Sequence, residues 1–226
     1  MIHSQERYPL DLGDMESWIR ANVMPGRRVL EIGCGDGALV RRIAQDYDVV
    51  GVDPEGEPSV LVRAQRFEDL DERPFQLVFA SVSLHHLGDP AGASSALQRL
   101  TEPGTVILVR EFDRLAMDHE PTMRWWFAHL KASEHKADPA ERPLPATLET
   151  FFPEWRSMME HHVAPWGEVL ELLHASGFES VREEPMAYLF RWGLDETVRA
   201  EEERLGREGE INLVGRRWTG RRAAPG

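Results

Sequence analysis

The chain has 226 residues and a formal net charge of −13, so the basic face that a DNA- or RNA-binding protein needs is not expected. Cys34 is its single cysteine, which excludes an internal disulfide and indicates a reducing compartment. The N-terminal residues lack the apolar stretch of a secretion signal, and no apolar run approaches the roughly 20 residues of a membrane span, so we expect a cytoplasmic protein with no membrane partner.

The first half of the chain alternates short β-rich runs with helical patterns. The predicted strands lie at 28–32, 49–53, 60–64, 77–82 and 105–111. Such near-continuous apolar runs are typical of strands buried on both faces, and helical stretches between them, such as 90–100, indicate parallel crossovers. The connection before the third run is too short for a regular helix, so a turn is expected there. This half is therefore predicted to be a doubly wound α/β unit.

The second half is rich in tryptophan, histidine and proline. Predicted helices lie at 118–133, 145–160, 165–176 and 195–207, and predicted strands at 177–185, 187–193 and 211–218. The basic residues near the end of the chain are expected in a solvated tail: Arg216, Arg217, Arg221 and Arg222.

The stretch VLEIGCGDG carries the strongest functional signal. Glu31 ends a predicted strand, and Gly33, Gly35 and Gly37 follow at alternate positions before a helix begins. Glycines at this spacing allow a tight turn and a close approach of ligand to backbone. A carboxylate at Glu31 repels a phosphate but suits a cationic amine. The pattern therefore favours S-adenosylmethionine, which has an ammonium and a sulfonium but no phosphate, over a nicotinamide dinucleotide.

Further candidate residues follow the other predicted strands. Asp53, with Pro54 after it, closes the second strand, where an acid can accept hydrogen bonds from both ribose hydroxyls. Arg66, Phe67 and Glu68 follow the third strand, where a backbone N–H and a neighbouring side chain could recognise the adenine edge. The remaining predicted cofactor contacts are Cys34 in the glycine loop, as a packed residue and not a nucleophile, and Ser81 and Val82 at the end of the fourth strand.

Residues 26–112 resemble the class I S-adenosylmethionine-dependent methyltransferases. The resemblance rests on five ordered motifs: VLEIGCGDG, VVGVD, RFEDL, FQLVFASVSLHHLGDP and LTEPGTVILVREF. It implies a mostly parallel seven-stranded sheet whose last strand is antiparallel, S-adenosylmethionine as cofactor, and methyl transfer to a nucleophile.

On this basis we interpret the chain, 1–226, as a single methyltransferase domain. Its parts are an N-terminal helical segment (1–25), a cofactor-binding half (26–112), a helical insertion or cap after strand 5 (113–176), and C-terminal strands with a helix (177–218).

The acceptor is expected to be a small molecule. After the fourth strand the chain reads Ala80-Ser81-Val82-Ser83-Leu84, without the Asn/Asp-Pro-Pro-Tyr/Phe motif of base and amide methyltransferases. The aspartate of metal-dependent catechol-type enzymes is also absent there, so no metal is expected.

Proximity and orientation can supply much of the rate of methyl transfer, so a general base is optional. His85 and His86 are candidate bases because histidine titrates near neutral pH, and Glu111 is a candidate acceptor contact. Packing roles for all three remain an alternative.

Two other functions stay open at this point. The cofactor motifs report binding alone, so a non-catalytic S-adenosylmethionine-binding regulatory protein fits them equally well. A protein or RNA methyltransferase is less favoured because of the acidic charge and the missing Pro-Pro motif. A nicotinamide oxidoreductase is disfavoured because Ala38 stands where its third glycine is needed.

Overall fold

The computed structural model describes residues 11–86, 88–133, 144–192, 194 and 196–224. These residues form two compact units. The sheet unit comprises 11–111, 166–184 and 216–224, and the helical unit comprises the described parts of 112–165 and 185–215.

A seven-stranded sheet organises the described chain. Its strands are β1 (Arg28–Ile32), β2 (Asp48–Val52), β3 (Val62–Arg63), β4 (Phe75–Ser81), β5 (Thr101–Phe112), β6 (Phe178–Met186) and β7 (Gly215–Arg222). The strand order is β3-β2-β1-β4-β5-β7-β6, and the four pairings from β3 to β5 are parallel. The predicted α/β class and the mostly parallel seven-stranded sheet are confirmed.

The last strand, β7, is the antiparallel one. The Asp113 N–H, just after β5, donates to the Val214 carbonyl, just before β7. At the other end of β7, the Ala223 N–H donates to the carbonyl of Gly177, which precedes β6. An end-to-start pairing of this kind requires opposite strand directions, and the prediction for the last strand is confirmed.

Helices cover both faces of the sheet unit. They are α1 (Leu12–Asn22), α2 (Ala38–Ile43), α3 (Pro90–Leu100) and α6 (Trp166–Ala175). Val78 and Ala80 share a core with α3 and α6, whereas the intervening Phe79 meets Trp18 of α1 edge-on, with ring centroids 6.1 Å apart. Because both faces are covered, the central strands β2, β4 and β5 carry buried apolar residues at successive positions and not only at alternate ones. Helix α6 lies in the stretch that the sequence assigned to the insertion.

The helical unit is built from α4 (Glu120–Ser133), α5 (Leu148–His162) and α7 (Arg199–Glu208). An aromatic cluster forms its centre. The ring of Trp126 lies within 6 Å of the rings of Phe151, Trp155 and Trp192, measured between centroids. Aromatic pairs at such spacings stabilise a core beyond the effect of area burial. The predicted helices of this half are present with shifted ends.

The predicted strand at 187–193 was wrong. Residues Leu189–Arg191 form a 3-10 turn instead. The buried carboxylate of Glu202 in α7 accepts the N–H groups of Tyr188 at 2.7 Å and of Leu189 and Phe190 at 3.0 Å. Because these donors point at one carboxylate, they are not available to a strand ladder.

The basic end of the chain is also not a solvated tail, since β7 contains all four of its arginines. Arg217 pairs with Asp14 at 3.2 Å, and its guanidinium lies 4.1 Å from the centroid of the Trp18 ring. Arg222 donates to the Thr101 hydroxyl at 3.1 Å. The predicted strand at 211–218 is displaced, because 212–214 precede β7 as irregular chain.

Three smaller features complete the fold. Strand β3 has two residues and follows β2 through a turn, as the short connection predicted. Strand β5 begins at Thr101, earlier than predicted, with a register irregularity opposite Phe75 and Leu77. In the described part of the chain, no helix combines the length and the apolar character needed to cross a membrane.

The anchoring role of Glu202 can be tested by substitution. Glu202→Ala leaves three buried N–H donors without their acceptor, so we expect a loss of about 3 kcal/mol in the free energy of unfolding. Urea denaturation measures this loss. The matched control is Glu203→Ala, which removes a half-exposed carboxylate paired with Arg199 and should cost under about 1 kcal/mol. Equal effects of both substitutions would contradict the role given to Glu202.

Candidate functional site

A cavity of about 560 Å³ lies at the carboxyl ends of β1, β2 and β4. Ligands of open α/β sheets bind at this edge, outside the strand ends. The lining residues are Ile32, Gly33, Val52, Asp53, Pro54, Glu55, Arg66, Phe67, Glu68, Val82, Ser83 and His86. Eight of them were singled out in the sequence: Gly33, Asp53, Pro54, Arg66, Phe67, Glu68, Val82 and His86.

The three glycines of the loop after β1 serve different purposes. Gly33 (φ +72°) lies so close to Ser83 that a Cβ would sit 2.3 Å from the Ser83 Cβ. Gly37 (φ +75°) begins α2, where a Cβ would lie 2.8 Å from Cγ2 of Val62. At Gly35 (φ +51°) an added Cβ would have no heavy atom within 4 Å. The first and third glycines are therefore required by packing, while the second borders open space that a ligand can approach.

Glu31 is a buried acid below this loop, 4% exposed in β1. The pKa of its carboxyl is raised to about 8, mainly by burial and also by the nearby Asp36 and Asp53 charges, while a backbone hydrogen bond from Val40 opposes the rise. Its Oε2 atom is buried and has no hydrogen-bond partner among the described residues. A buried acceptor without a donor is costly, so this oxygen is suited to a donor or a cation supplied by a ligand.

Asp53 is held in place by the backbone on both sides of the cavity. Its Oδ2 accepts the Gly35 N–H and its Oδ1 accepts the Glu55 N–H, both at 2.9 Å. Each carboxylate oxygen retains capacity for a further hydrogen bond. The side chain therefore links the glycine loop to the β2–β3 connection and presents acceptors at the cavity.

The remaining predicted contacts of this region divide between cavity and core. Arg66 and Phe67 line the cavity, and the Arg66 guanidinium pairs with Glu68 at 2.7 Å. Cys34 is buried, and its Sγ would lie 2.8 Å from a Cβ at Gly51, so it packs between the loop and β2. Burial raises the pKa of the Cys34 thiol to about 12, so the thiol stays protonated at neutral pH and is a poor nucleophile.

The loop after β4 forms the opposite wall of the cavity. Val82 has a positive φ of 54°, which is rare for a β-branched residue, and its N–H donates to the Arg110 carbonyl at 2.7 Å. Ser83 donates its hydroxyl to the Ile32 carbonyl at 2.9 Å. The Ser81 hydroxyl accepts from Nε of Arg110 at 3.1 Å, so Ser81 faces a neighbouring strand and is not among the residues that line the cavity.

Glu111 anchors that loop from below. Its Oε1 accepts the N–H groups of Ser83 at 2.8 Å and Leu84 at 2.7 Å, and its Oε2 lies 2.6 Å from Nδ1 of His85. Glu111 and His85 are both buried and do not line the cavity. Of the three catalytic candidates, His86 alone does so, and its ring centroid lies 4.0 Å from that of His85.

Sequence reasoning missed the contribution of Ser83 and Glu55 to the cavity. The signal for Ser83 was its place beside Val82 at the strand end, but its packing against Gly33 depends on the tertiary structure. Within the described ranges, no group of three or more His, Cys, Asp and Glu side chains is arranged to hold a metal ion.

Comparison with known proteins agrees with this geometry. Residues 13–141, more than half of the chain, match a family model described as a methyltransferase domain. The curated "Ubiquinone biosynthesis O-methyltransferase" of Alkalilimnicola ehrlichii is 32% identical over 108 residues, which cover 40% of this chain and 44% of that protein. The chain spans about half the length of the curated relatives that it matches.

Two solved structures share the fold. A methyltransferase in complex with the Haloferax volcanii Trm112 methyltransferase activator matches with a TM-score of 0.57 and 13% identity, over 94% of this chain and 90% of that one. Phosphoethanolamine N-methyltransferase 2 of Haemonchus contortus, in complex with S-adenosyl-L-methionine, matches with a TM-score of 0.53 and 14% identity, over 94% of this chain and 53% of that one.

The anchoring of the loop by Glu111 gives a stability prediction. Glu111→Ala removes the acceptor of two buried N–H groups and the partner of a buried histidine, so we expect a loss of about 3 kcal/mol in the free energy of unfolding, measured by urea denaturation. Glu102→Ala serves as the control, because Glu102 is an exposed acid of the same strand. It should change the value by about 0.5 kcal/mol or less. A Glu111→Ala protein as stable as the control would show that the loop does not depend on this carboxylate.

Proposed function

Because the chain belongs to the class I S-adenosylmethionine-dependent methyltransferase family, we propose that it transfers the methyl group of S-adenosylmethionine to a small-molecule acceptor. The observation that supports this proposal most is the buried carboxyl of Glu31. Its Oε2 atom has no hydrogen-bond partner among the described residues, and Glu31 belongs to β1, the strand that leads into the glycine loop. When bound, the cofactor would supply a methyl group activated by its sulfonium: a nucleophile of the acceptor would bond to the methyl carbon as the bond to sulfur breaks, and S-adenosylhomocysteine would leave.

The residues that line the cavity, together with Glu31 in the adjoining strand β1, fit this cofactor. Glu31 would hold the ammonium group, because a cation offsets the cost of a buried carboxylate. Asp53 would accept hydrogen bonds from ribose hydroxyls, since its position is already fixed by two backbone donors. Arg66 and Phe67 line the part of the cavity that would take the adenine.

A small-molecule acceptor agrees with three observations. The net charge of −13 opposes a nucleic-acid acceptor, the Pro-Pro motif is missing after β4, and curated relatives are named as O-methyltransferases of ubiquinone biosynthesis. We place the reaction in the cytoplasm. A non-catalytic binding protein is the second candidate, because the cavity geometry concerns binding and not turnover.

We assign different roles to the three residues after β4 and in β5. His86, on the cavity wall, is the candidate base that removes a proton from the acceptor when the acceptor must lose one. Glu111 and His85 are positioning residues, because their contacts hold the backbone of Ser83 and Leu84 and thereby the loop that presents His86. Orientation of the acceptor would supply most of the remaining acceleration.

The first experiment is a calorimetric titration of S-adenosylhomocysteine into the wild-type protein and into Glu31→Gln. In the protein without ligand, the Glu31 carboxyl has a pKa of about 8. The ammonium group of bound S-adenosylhomocysteine would favour the ionised form of this carboxyl. Binding of S-adenosylhomocysteine at pH 7 should therefore release about one proton. The affinity for this ligand should rise with pH until about pH 8. Titrations in buffers of different ionisation enthalpy measure that proton.

Glu31→Gln should bind S-adenosylhomocysteine about 10- to 100-fold more weakly and release no proton from this position. A second consequence concerns the free protein: the folded state retains a proton that the unfolded chain loses near pH 4.5, so wild-type stability falls as pH rises from 4.5 to about 8. Glu31→Gln should lack that fall. Glu57→Gln, an exposed acid outside the cavity, is the control and should behave as wild type. Unchanged affinity in Glu31→Gln would refute the proposed cofactor site.

The role of His86 is tested with a panel of small phenols, catechols and amines as acceptors, monitored by release of S-adenosylhomocysteine. With an acceptor that turns over, His86→Gln should lower kcat about 100-fold and leave the Kd for S-adenosylhomocysteine within about twofold. His161→Gln, on an exposed face of α5, is the control. An unchanged kcat in His86→Gln would contradict the role of His86 as a base, and orientation of the acceptor would then account for the whole acceleration. Tight cofactor binding without turnover of any acceptor would favour the non-catalytic alternative.

A further inference from the structure

Arg191, in the helical unit, carries a buried charge that forms no ion pair with any residue that the structure describes. It ends the 3-10 turn Leu189–Arg191 and is only 4% exposed. Its Nε and Nη1 atoms are buried and have no hydrogen-bond partner among the described residues. A buried guanidinium is costly when it has neither hydrogen-bond acceptors nor an anion beside it.

Among the described residues, no carboxylate forms an ion pair with the Arg191 guanidinium. The nearby buried acid, Glu202, uses its oxygens to accept the N–H groups of Tyr188, Leu189 and Phe190. The ring of Phe190 lies 5.2 Å from the Arg191 guanidinium, and this cation–π contact offsets only part of the desolvation cost.

Arg199 provides an internal comparison. Its guanidinium approaches the same Phe190 ring at 5.3 Å, but it is more exposed and pairs with Glu196 at 2.9 Å and Glu203 at 3.0 Å. Two arginines therefore share one aromatic ring. The more exposed arginine has two carboxylates, and the buried one has no ion-pair partner within the described ranges.

We propose that Arg191 binds an oxyanion group, a carboxylate or a phosphate, of a small-molecule ligand. Guanidinium groups match both anions because their planar N–H donors can form paired hydrogen bonds with two oxygens. A ligand oxyanion would supply the absent counter-charge and the acceptors for Nε and Nη1. This inference goes beyond methyl transfer, and it does not depend on the cofactor site.

Thermal unfolding with inorganic phosphate and with acetate as separate probes tests the proposal, with chloride at equal ionic strength as the reference. We expect the Tm of the wild-type protein to rise saturably with at least one of the two probes, and the stronger probe identifies the anion class. Arg191→Met should lose this response, while Arg199→Gln, which alters the other arginine on the same ring, should keep it.

Two further measurements keep the outcome decisive. S-adenosylhomocysteine titration of Arg191→Met shows whether the variant is folded, and separates failure of this inference from failure of the cofactor site. If Arg191→Met does not fold, Arg191→Lys takes its place. It keeps the charge but lacks the paired donors, so it should bind the effective probe at least several-fold more weakly. A wild-type Tm that does not respond to either probe, or an undiminished response in Arg191→Met or Arg191→Lys, would overturn the proposal.

Discussion

The buried carboxylate of Glu111 accepts the N–H groups of Ser83 and Leu84 and contacts Nδ1 of His85, and the shape of the candidate site depends on these three interactions. They hold the loop after β4 in place, with Val82 in the left-handed region and Ser83 against Gly33. Because Gly33 has no Cβ, the loops after β1 and β4 can approach closely enough to share a cavity wall. The Glu111 carboxylate in β5 thus positions the loop after β4, and through Ser83 it also fixes the approach of that loop to the glycine loop after β1.

The buried acids of this protein differ in the hydrogen-bond donors that their carboxylate oxygens meet. Glu111 and Glu202 each accept several backbone N–H groups and thereby shape irregular chain that no regular hydrogen-bond ladder would hold. Glu31 keeps an oxygen that accepts no hydrogen bond from the part of the chain that the structure describes, and the pKa of its carboxyl is raised to about 8, mainly by burial. A buried group with complete partners stabilises a conformation, whereas one with missing partners gains stability from a ligand. The same distinction separates Arg199 from Arg191.

The fold alone does not select the acceptor. Solved structures at 13% and 14% identity share this architecture, and one of them is a phosphoethanolamine N-methyltransferase of Haemonchus contortus. The sheet provides a platform whose strand ends converge on one cavity, and the side chains placed there decide the chemistry. Identification of the acceptor therefore depends on measurements at particular residues, above all His86.

Local patterns in the sequence were sufficient for the parallel part of the sheet and for most of the candidate residues in and next to the cavity. Apolar runs identified the first five strands, and Glu31, the glycine loop and Asp53 followed from charge and spacing within single turns, where the physical causes are local. The prediction of a strand at 187–193 was wrong because Glu202, 12 to 14 residues further along the chain, accepts the backbone N–H groups that pairing with a neighbouring strand would need. Glu111 and His85 were grouped with His86 as catalytic candidates, but only the tertiary structure showed that they contact each other and the loop backbone, away from the cavity. Residue type and order determined which groups could bind a cofactor; the packing of distant segments decided which of them face the cavity and which hold it together.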